Sequence, residues 1–152
     1  MKRTAFTMIE LVFVIVILGI LAAVAIPRFA ATRDDAQIAK GRSDVAAIRS
    51  AIVSERQTRL LKGESTYVSA LHGLTSGVLF DGVDATHKLL QYGIISEDKN
   101  GHWHSGNCTG AAPNVCTYKY KVLNTDVTFT YTQANGTFDC THTNAGCKKL
   151  TE

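Results

Sequence analysis

The sequence lacks the short motifs by which most enzyme active sites are recognised. It has no G-x-S-x-G nucleophile motif, no phosphate-binding loop, no H-E-x-x-H zinc motif and no carboxylate pair whose spacing supports acid–base catalysis. It also has no internal repeat and no low-complexity tract. These absences exclude the common enzyme classes and predict a non-catalytic protein that needs no cofactor.

Cysteine is absent from the first two-thirds of the chain, and all four cysteines follow in the last third: Cys108, Cys116, Cys140 and Cys147. An even number of cysteines, clustered beyond an apolar segment, predicts that this part of the chain lies in an oxidising compartment and forms disulfides. The C-x7-C and C-x6-C spacings are longer than the C-x2-C pairs typical of zinc, so no metal site is predicted. The simplest pairing joins Cys108 to Cys116 and Cys140 to Cys147, although a crossed Cys116–Cys140 bond is not excluded.

Charge is absent from Leu11 to Ile26. Extended back to Phe6, the apolar stretch has 21 residues and one charge, Glu10. At about 1.5 Å per residue, a helix of this length spans about 30 Å, the thickness of a bilayer's hydrocarbon core. The segment is therefore predicted to cross a membrane, preceded by the short basic leader 1–5.

An amphipathic pattern replaces the uniformly apolar one after Pro27. One set of apolar residues recurs every seven positions, and a second set forms an adjacent stripe. This pattern predicts that the helix continues to about Lys62, ends near Gly63 and packs one face on another part of the protein. The first set is Ala31, Ile38, Val45 and Ile52, joined by Ile48; the second is Ala39, Ala46, Val53 and Leu60.

The C-terminal third alternates polar and apolar residues in the manner of β-strands. Strands are predicted over Thr117–Leu123 and Val127–Gln133, joined tightly at 124–126, and Asn135-Gly136 predicts a hairpin into Thr137–Cys140. A short helix is predicted over Asp84–Tyr92. The predicted fold class is α+β, with a long N-terminal helix packed on a small antiparallel sheet of three to four strands.

Three residues are out of place in a simple membrane anchor: Glu10, Gly19 and Pro27. A carboxylate at membrane depth costs a few kcal/mol, and proline removes a helical hydrogen bond. The segment that contains them, FTMIELVFVIVILGILAAVAIPRF from Phe6 to Phe29, resembles the N-terminus of type IV pilins and of type II secretion pseudopilins. The pilin-like fold predicted above agrees with this resemblance.

The resemblance implies that a prepilin peptidase cuts between Ala5 and Phe6 and that the new Phe6 amine is N-methylated. The family usually has Gly where this chain has Ala5. Glu10 matches the buried carboxylate used in assembly, and Gly19 and Pro27 match positions between which the helix loses regularity in the filament. In a bundle of subunits, Glu10 is expected to meet the α-amine of a neighbour and so to set the register.

The resemblance also implies a domain plan and a location. Residues 1–5 form the cleaved leader, 6–27 the transmembrane and polymerisation helix, 28–62 the amphipathic stem and 63–152 the globular head. The precursor is expected to cross the inner membrane once with its N-terminus in the cytoplasm. An inner-membrane assembly platform then builds it into a helical homo-oligomeric filament, which is extracellular or periplasmic.

Other interpretations of the same residues remain open. A secretory signal peptide cut after Ala23-Val24-Ala25 and a plain uncleaved anchor are the alternatives outside the family. Within it, the chain is a pilus subunit, a type II secretion pseudopilin or a minor pilin that binds DNA or surfaces. Residues 28–62 carry eight Lys/Arg and four Asp/Glu, which indicates a solvated or lipid-facing stem rather than a DNA site, but nucleic-acid binding stays uncertain.

Two polar motifs in the head suggest metal ligation only weakly. His102-Trp103-His104 offers two imidazoles, and Asp98-Lys99-Asn100-Gly101 resembles part of a calcium loop but lacks its later bidentate glutamate. Both motifs are predicted to be turns, with Trp103 partly packed.

Overall fold

A computed structural model describes residues 6–152, so the leader 1–5 lies outside the described residues. The chain forms two compact units. The described residues of the first unit are 6–36, and the second unit is Gln37–Glu152. Two helices and six strands are present in the described part: α1 Met8–Leu61, β1 Val78–Leu79, β2 Ile94–Ile95, β3 Trp103–Cys108, β4 Val115–Val122, β5 Thr125–Thr132, β6 Thr137–Cys140 and α2 Ala145–Thr151.

Helix α1 ends at Leu61 because the residues that follow cap its carbonyl groups. Gly63 has φ +84°, the left-handed conformation that glycine adopts without strain. Its N–H donates to the Leu60 carbonyl at 3.0 Å, and the Glu64 N–H donates to the Arg59 carbonyl at 2.9 Å. These bonds form a Schellman motif. The end lies close to the expected Lys62.

The main sheet has four antiparallel strands in the order β3-β4-β5-β6, and β1 and β2 form a separate two-stranded sheet. The predicted strands are present within two residues of their expected bounds. Leu123 and Asn124 connect β4 to β5 with φ +52° and +60°, as in a two-residue type I′ turn. The Asn135-Gly136 turn into β6 is confirmed, with Gly136 at φ +70°.

One predicted element is wrong, and four elements were missed: β1 and β2, which have two residues each, β3 and α2. Residues 84–92 form turns rather than a helix, because the Asp84 carboxylate accepts hydrogen bonds from the N–H groups of Thr86 and His87 at 2.8 and 2.9 Å. Strand β3 escaped prediction because it is irregular: Ser105 has φ +55°, and the register shifts between His104 and Asn107. Helix α2, with seven residues, is too short to show periodicity.

The core of Gln37–Glu152 lies between α1 and the apolar face of the main sheet. From α1, Val45, Ile48 and Ile52 are buried, as the first seven-residue pattern predicts. The second stripe, Ala39, Ala46, Val53 and Leu60, is exposed. The sheet contributes the predicted buried faces: Tyr118, Tyr120 and Val122 from β4, and Val127, Phe129 and Tyr131 from β5. The α+β prediction is therefore confirmed.

Aromatic side chains fill the centre of this core. The Trp103 ring is fully buried, with ring centroids 5.1 Å from Phe80 and 5.2 Å from Phe129. Its indole N–H donates to Asp44 at 3.1 Å. The predicted turn around Trp103 is therefore wrong: this residue begins β3 and is the largest side chain in the core.

Candidate assembly site

The apolar part of α1 is the first feature that could support assembly. Met8–Ile26 is long and apolar enough to cross a membrane, with mean hydropathy 3.1, and none of it is buried within the chain. Its leucine, isoleucine, valine and phenylalanine side chains are exposed around the whole helix. Such a surface is stable in lipid or against other apolar helices and not in water.

Glu10 caps the N-terminus of this helix together with Thr7. The Glu10 Oε2 accepts from the Thr7 N–H at 2.9 Å and from the Thr7 hydroxyl at 2.8 Å, and the Thr7 Oγ1 accepts from the Glu10 N–H at 3.4 Å. This reciprocal arrangement is a capping box, which satisfies two backbone donors at the helix start. Sequence reasoning missed it, although T-x-x-E before an apolar run is its signature.

The cap leaves the charge of Glu10 without an opposite partner. Thr7 supplies neutral donors only, and Glu10 forms no ion pair among the described residues. Beside the carboxylate lies an apolar depression of about 350 Å³ on the same helix face, lined by Ile9, Val12, Phe13 and Val16. An apolar side chain from another helix could fill this depression, and a cation brought with it would meet the carboxylate.

The other predicted assembly residues lie in or next to the same segment. Phe6 is exposed and precedes the helix, while Ala5 lies outside the described residues. Gly19 and Pro27 both lie within regular helix, and a Cβ atom added to Gly19 would meet nothing within 4 Å. Their loss of helical regularity in a filament therefore stays a prediction.

The four cysteines form two disulfides, Cys108–Cys116 and Cys140–Cys147. The first joins directly opposed residues of β3 and β4. The second joins the end of β6 to α2, whose Leu150 is buried. The predicted disulfides are thus present: one attaches the edge strand β3 to β4, and the other attaches the C-terminal helix to the edge strand β6.

A second polar cluster lies in the head, where Asp98, His104 and Asp126 offer three ligand atoms within 4.8 Å of one another. His104 Nε2 lies 3.0 Å from Asp126 Oδ1, and the Lys121 ammonium lies 2.6 Å from Asp98 Oδ1. This lysine lowers the pKa of Asp98, first through its hydrogen bond. Lys119 lies 3.6 Å from Asp126. Two lysines thus already balance the carboxylates, so the cluster is an ion-pair network rather than a candidate metal centre.

The comparisons with known proteins agree with the geometry at the N-terminus. Residues 1–26 match the family described as the prokaryotic N-terminal methylation motif. The chain is 37% identical over 86 residues to the type IV narrow pilus major component PilA5 of Thermus thermophilus, a match that covers 55% of this chain and 74% of that protein. No solved structure matches the chain at a significant level.

Proposed function

The chain belongs to the type IV pilin family, and we propose that it is a structural subunit of a type IV pilus-like filament. The observation that carries the proposal is the apolar helix Met8–Ile26, which has no covering surface in its own subunit. Membrane lipid covers this apolar surface before assembly, and a bundle of identical helices covers it afterwards. The role is structural rather than catalytic.

Processing prepares this helix for assembly. A prepilin peptidase removes residues 1–5 on the cytoplasmic face, and the amine of Phe6 is then methylated. The methylation motif over residues 1–26 supports this step. Cleavage leaves a positive α-amine one residue before Thr7, the residue that begins the capping box with Glu10. The inner-membrane assembly platform would receive the processed subunit.

Glu10 acts in two ways in this proposal. Within a subunit, one carboxylate oxygen caps the helix and holds the side chain at the helix start. Between subunits, the remaining negative charge pairs with the Phe6 amine of a neighbour. Breaking such a pair in an apolar bundle would leave a buried charge without a partner, at a cost of about 3–5 kcal/mol. Only subunits in the correct register avoid that cost.

The pilus subunit is favoured over the other members of the family. The matched relative is named a major component of a narrow type IV pilus, which supports a main structural subunit rather than a minor one. Neither the pseudopilin nor the minor pilin that binds DNA or surfaces has comparable support. The filament would lie outside the inner membrane, where the two disulfides are stable.

Intact mass spectrometry of subunits from sheared filaments tests the proposal. We expect a mature chain that begins at Phe6 and carries one methyl group and two disulfides. A mature chain that begins at Ile26 would instead identify a signal peptide, and it would overturn the filament proposal because the apolar helix would be lost. An unprocessed chain found only in membranes would identify a plain anchor.

A further inference from the structure

Strand β6 is an edge of the main sheet, where β5 is its single neighbour among the described strands. An antiparallel strand directs the N–H and C=O groups of alternate residues towards its neighbour, and those of the other residues away from it. On β6 the outward residues are Phe138 and Cys140, because the Phe138 carbonyl and the Cys140 N–H bond to side chains instead of to β5. Outward groups of this kind are the ones with which a strand from another chain pairs.

Arg49 on α1 and Asp139 on β6 cover these outward groups. The Arg49 Nε–H donates to the Phe138 carbonyl at 3.0 Å, and the Cys140 N–H donates to Asp139 Oδ1 at 2.9 Å. The same Asp139 oxygen lies 2.8 Å from Arg49 Nη2, so an ion pair joins the two covering side chains. His142 Nε2 lies 3.3 Å from the other Asp139 oxygen. One acceptor and one donor of the edge are thus covered by a pair of side chains that hold one another.

The location of this ion pair is more informative than its contribution to stability. Its side chains are 41% and 51% exposed, and an ion pair with that exposure stabilises a fold very little. Beside it, Thr137, Phe138 and Asp139 border a depression of about 460 Å³ between α1 and β6 that is open to solvent. Space for another chain therefore remains along the edge that the pair covers.

The opposite edge of the sheet is interrupted in a different way. Strand β3 shifts its register between His104 and Asn107, and Ser105 has φ +55°. An irregular edge of this kind offers no regular row of groups to another strand. Strand β6 keeps one register over its four residues, so it is the edge at which covering side chains are needed.

We propose that the Arg49–Asp139 pair closes the β6 edge to the β6 strand of a second copy of this chain. Without the pair, two β6 strands would join antiparallel about a two-fold axis, through the groups that these side chains cover. Such a dimer is closed and cannot extend as a filament does. The pair thus keeps subunits available for assembly through their N-terminal helices, and this last consequence rests on the proposed function.

Self-association of the full chain in detergent tests the proposal. Arg49→Ala and Asp139→Ala each uncover part of the edge, and each should raise the association constant about tenfold or more in sedimentation equilibrium. Arg42→Ala is the matched control, because Arg42 lies seven residues earlier on α1 and donates to the Lys149 carbonyl of α2 rather than to β6. It should associate like the unsubstituted chain. An Arg49→Ala chain that associates no more strongly than Arg42→Ala would overturn the proposal.

Photo-crosslinking locates the new contact. We would place p-benzoylphenylalanine at Thr137, an exposed residue of β6, both in Arg49→Ala and in the chain that keeps Arg49. Crosslinks to residues 137–140 of a second copy are expected in Arg49→Ala alone. Crosslinks to residues 8–26 instead would show that the added association comes from the apolar helix, and they too would overturn the proposal.

Thermal unfolding and disulfide mapping separate edge closure from a loss of folding. Each variant should keep both disulfides and nearly the same unfolding temperature, because the substituted side chains are partly or fully exposed. If Arg49→Ala is less stable than the unsubstituted chain, Asp139→Ala decides, since it leaves α1 unchanged. Absence of added association in Asp139→Ala would then overturn the proposal. These measurements do not use filament yield, so their outcome is independent of the proposed function.

Discussion

The two compact units of this chain share one helix but are stabilised in different ways. Along Met8–Ile26 the helix is apolar on every side, and none of that surface is buried in the chain. Beyond Gln37 the same helix buries one face, which includes Ile48 and Ile52, and exposes the rest. The first part therefore depends on lipid or on other subunits, whereas the second depends on its own head.

Polar contacts also differ between the two units, because they are local in the first unit and join distant segments in the second. In residues 6–36 they are local, such as the capping box between Thr7 and Glu10. In the head they join distant segments: the Tyr120 hydroxyl donates to the Gln37 carbonyl at 2.6 Å, and the Tyr131 hydroxyl to the Val68 carbonyl at 2.7 Å. The comparison predicts that filament assembly depends on the first unit and folding stability on the second, so that changes in one unit should leave the other property intact.

The largest effect should come from removing the apolar part of the first unit. We predict that a fragment beginning at Phe29 is a soluble, folded monomer, because it retains the whole core and loses the apolar helix surface. Size-exclusion chromatography and peptide mapping under non-reducing conditions would check this, with Cys108–Cys116 and Cys140–Cys147 as the expected bonds. Aggregation of the fragment, or four free thiols, would show that the head depends on the apolar helix.

The next largest effect concerns Glu10. We predict that Glu10→Leu leaves membrane insertion and cleavage before Phe6 intact but lowers the yield of sheared filaments about a hundredfold. The reason is that an unpaired buried charge costs about 3 kcal/mol or more. Normal yield from this variant would show that the carboxylate does not set the register.

Glu10→Gln separates the cap that the structure shows from the register role proposed for the charge. Its amide oxygen can still accept from the Thr7 N–H, so the capping box is retained while the charge is lost. If the charge sets the register, Glu10→Gln should assemble as poorly as Glu10→Leu. Recovery to the level of the unsubstituted protein would show that the cap alone is needed for assembly.

A smaller effect is expected at Gly41, which lies on α1 within the head. A Cβ atom added there would lie 2.6 Å from Leu150 Cδ2 and 2.7 Å from Tyr120 Cε1, both of them on buried side chains. We predict that Gly41→Ala lowers the free energy of unfolding by about 1–3 kcal/mol. Thermal unfolding of the full chain in detergent would measure this change.

Gly19→Ala is the matched control for Gly41→Ala, because it makes the same substitution on the same helix where nothing lies within 4 Å. The unfolding temperature of the head should not change in this variant. Equal losses from the two substitutions would contradict the view that only the second unit depends on packing within the subunit.

The smallest effect concerns Asp84 in the head. Hydrogen bonds from Thr86 and His87 hold the pKa of its carboxyl well below the ordinary value of 3.8. A carboxylate with a lowered folded-state pKa stabilises the fold above its unfolded pKa, and this stabilisation is lost as the pH falls through the folded-state pKa. We therefore predict that Asp84→Asn slightly lowers the unfolding free energy at about pH 7, with a difference that shrinks below pH 3.8.

Chemical denaturation of both proteins across this pH range would check the prediction for Asp84. Asp35→Asn, from the first unit, is the control because Asp35 has no ion pair or hydrogen-bonded side chain among residues 6–152. A loss of stability in Asp84→Asn that is the same at every pH would show that the charge of the carboxylate is not the cause.

Local patterns were the part of this structure that the sequence predicted well. The β4–β5 hairpin follows from alternation in TYKYKV and VTFTYT, and the buried face of α1 follows from Val45, Ile48 and Ile52. Glu10 was predicted as a site residue because a charge in an apolar run has to have a reason. The T-x-x-E pattern of its cap with Thr7 is also present in the sequence, but the capping box was not predicted from it.

The sequence by itself determined that this chain has a membrane-length apolar helix with one carboxylate, followed by a disulfide-bonded head. Composition and short-range periodicity suffice for those features, because each depends on neighbouring residues. Only the tertiary structure decided that Trp103 is the largest side chain of the core and that β3 pairs with β4. Contacts between residues far apart in the chain settle these features, and no local pattern encodes them.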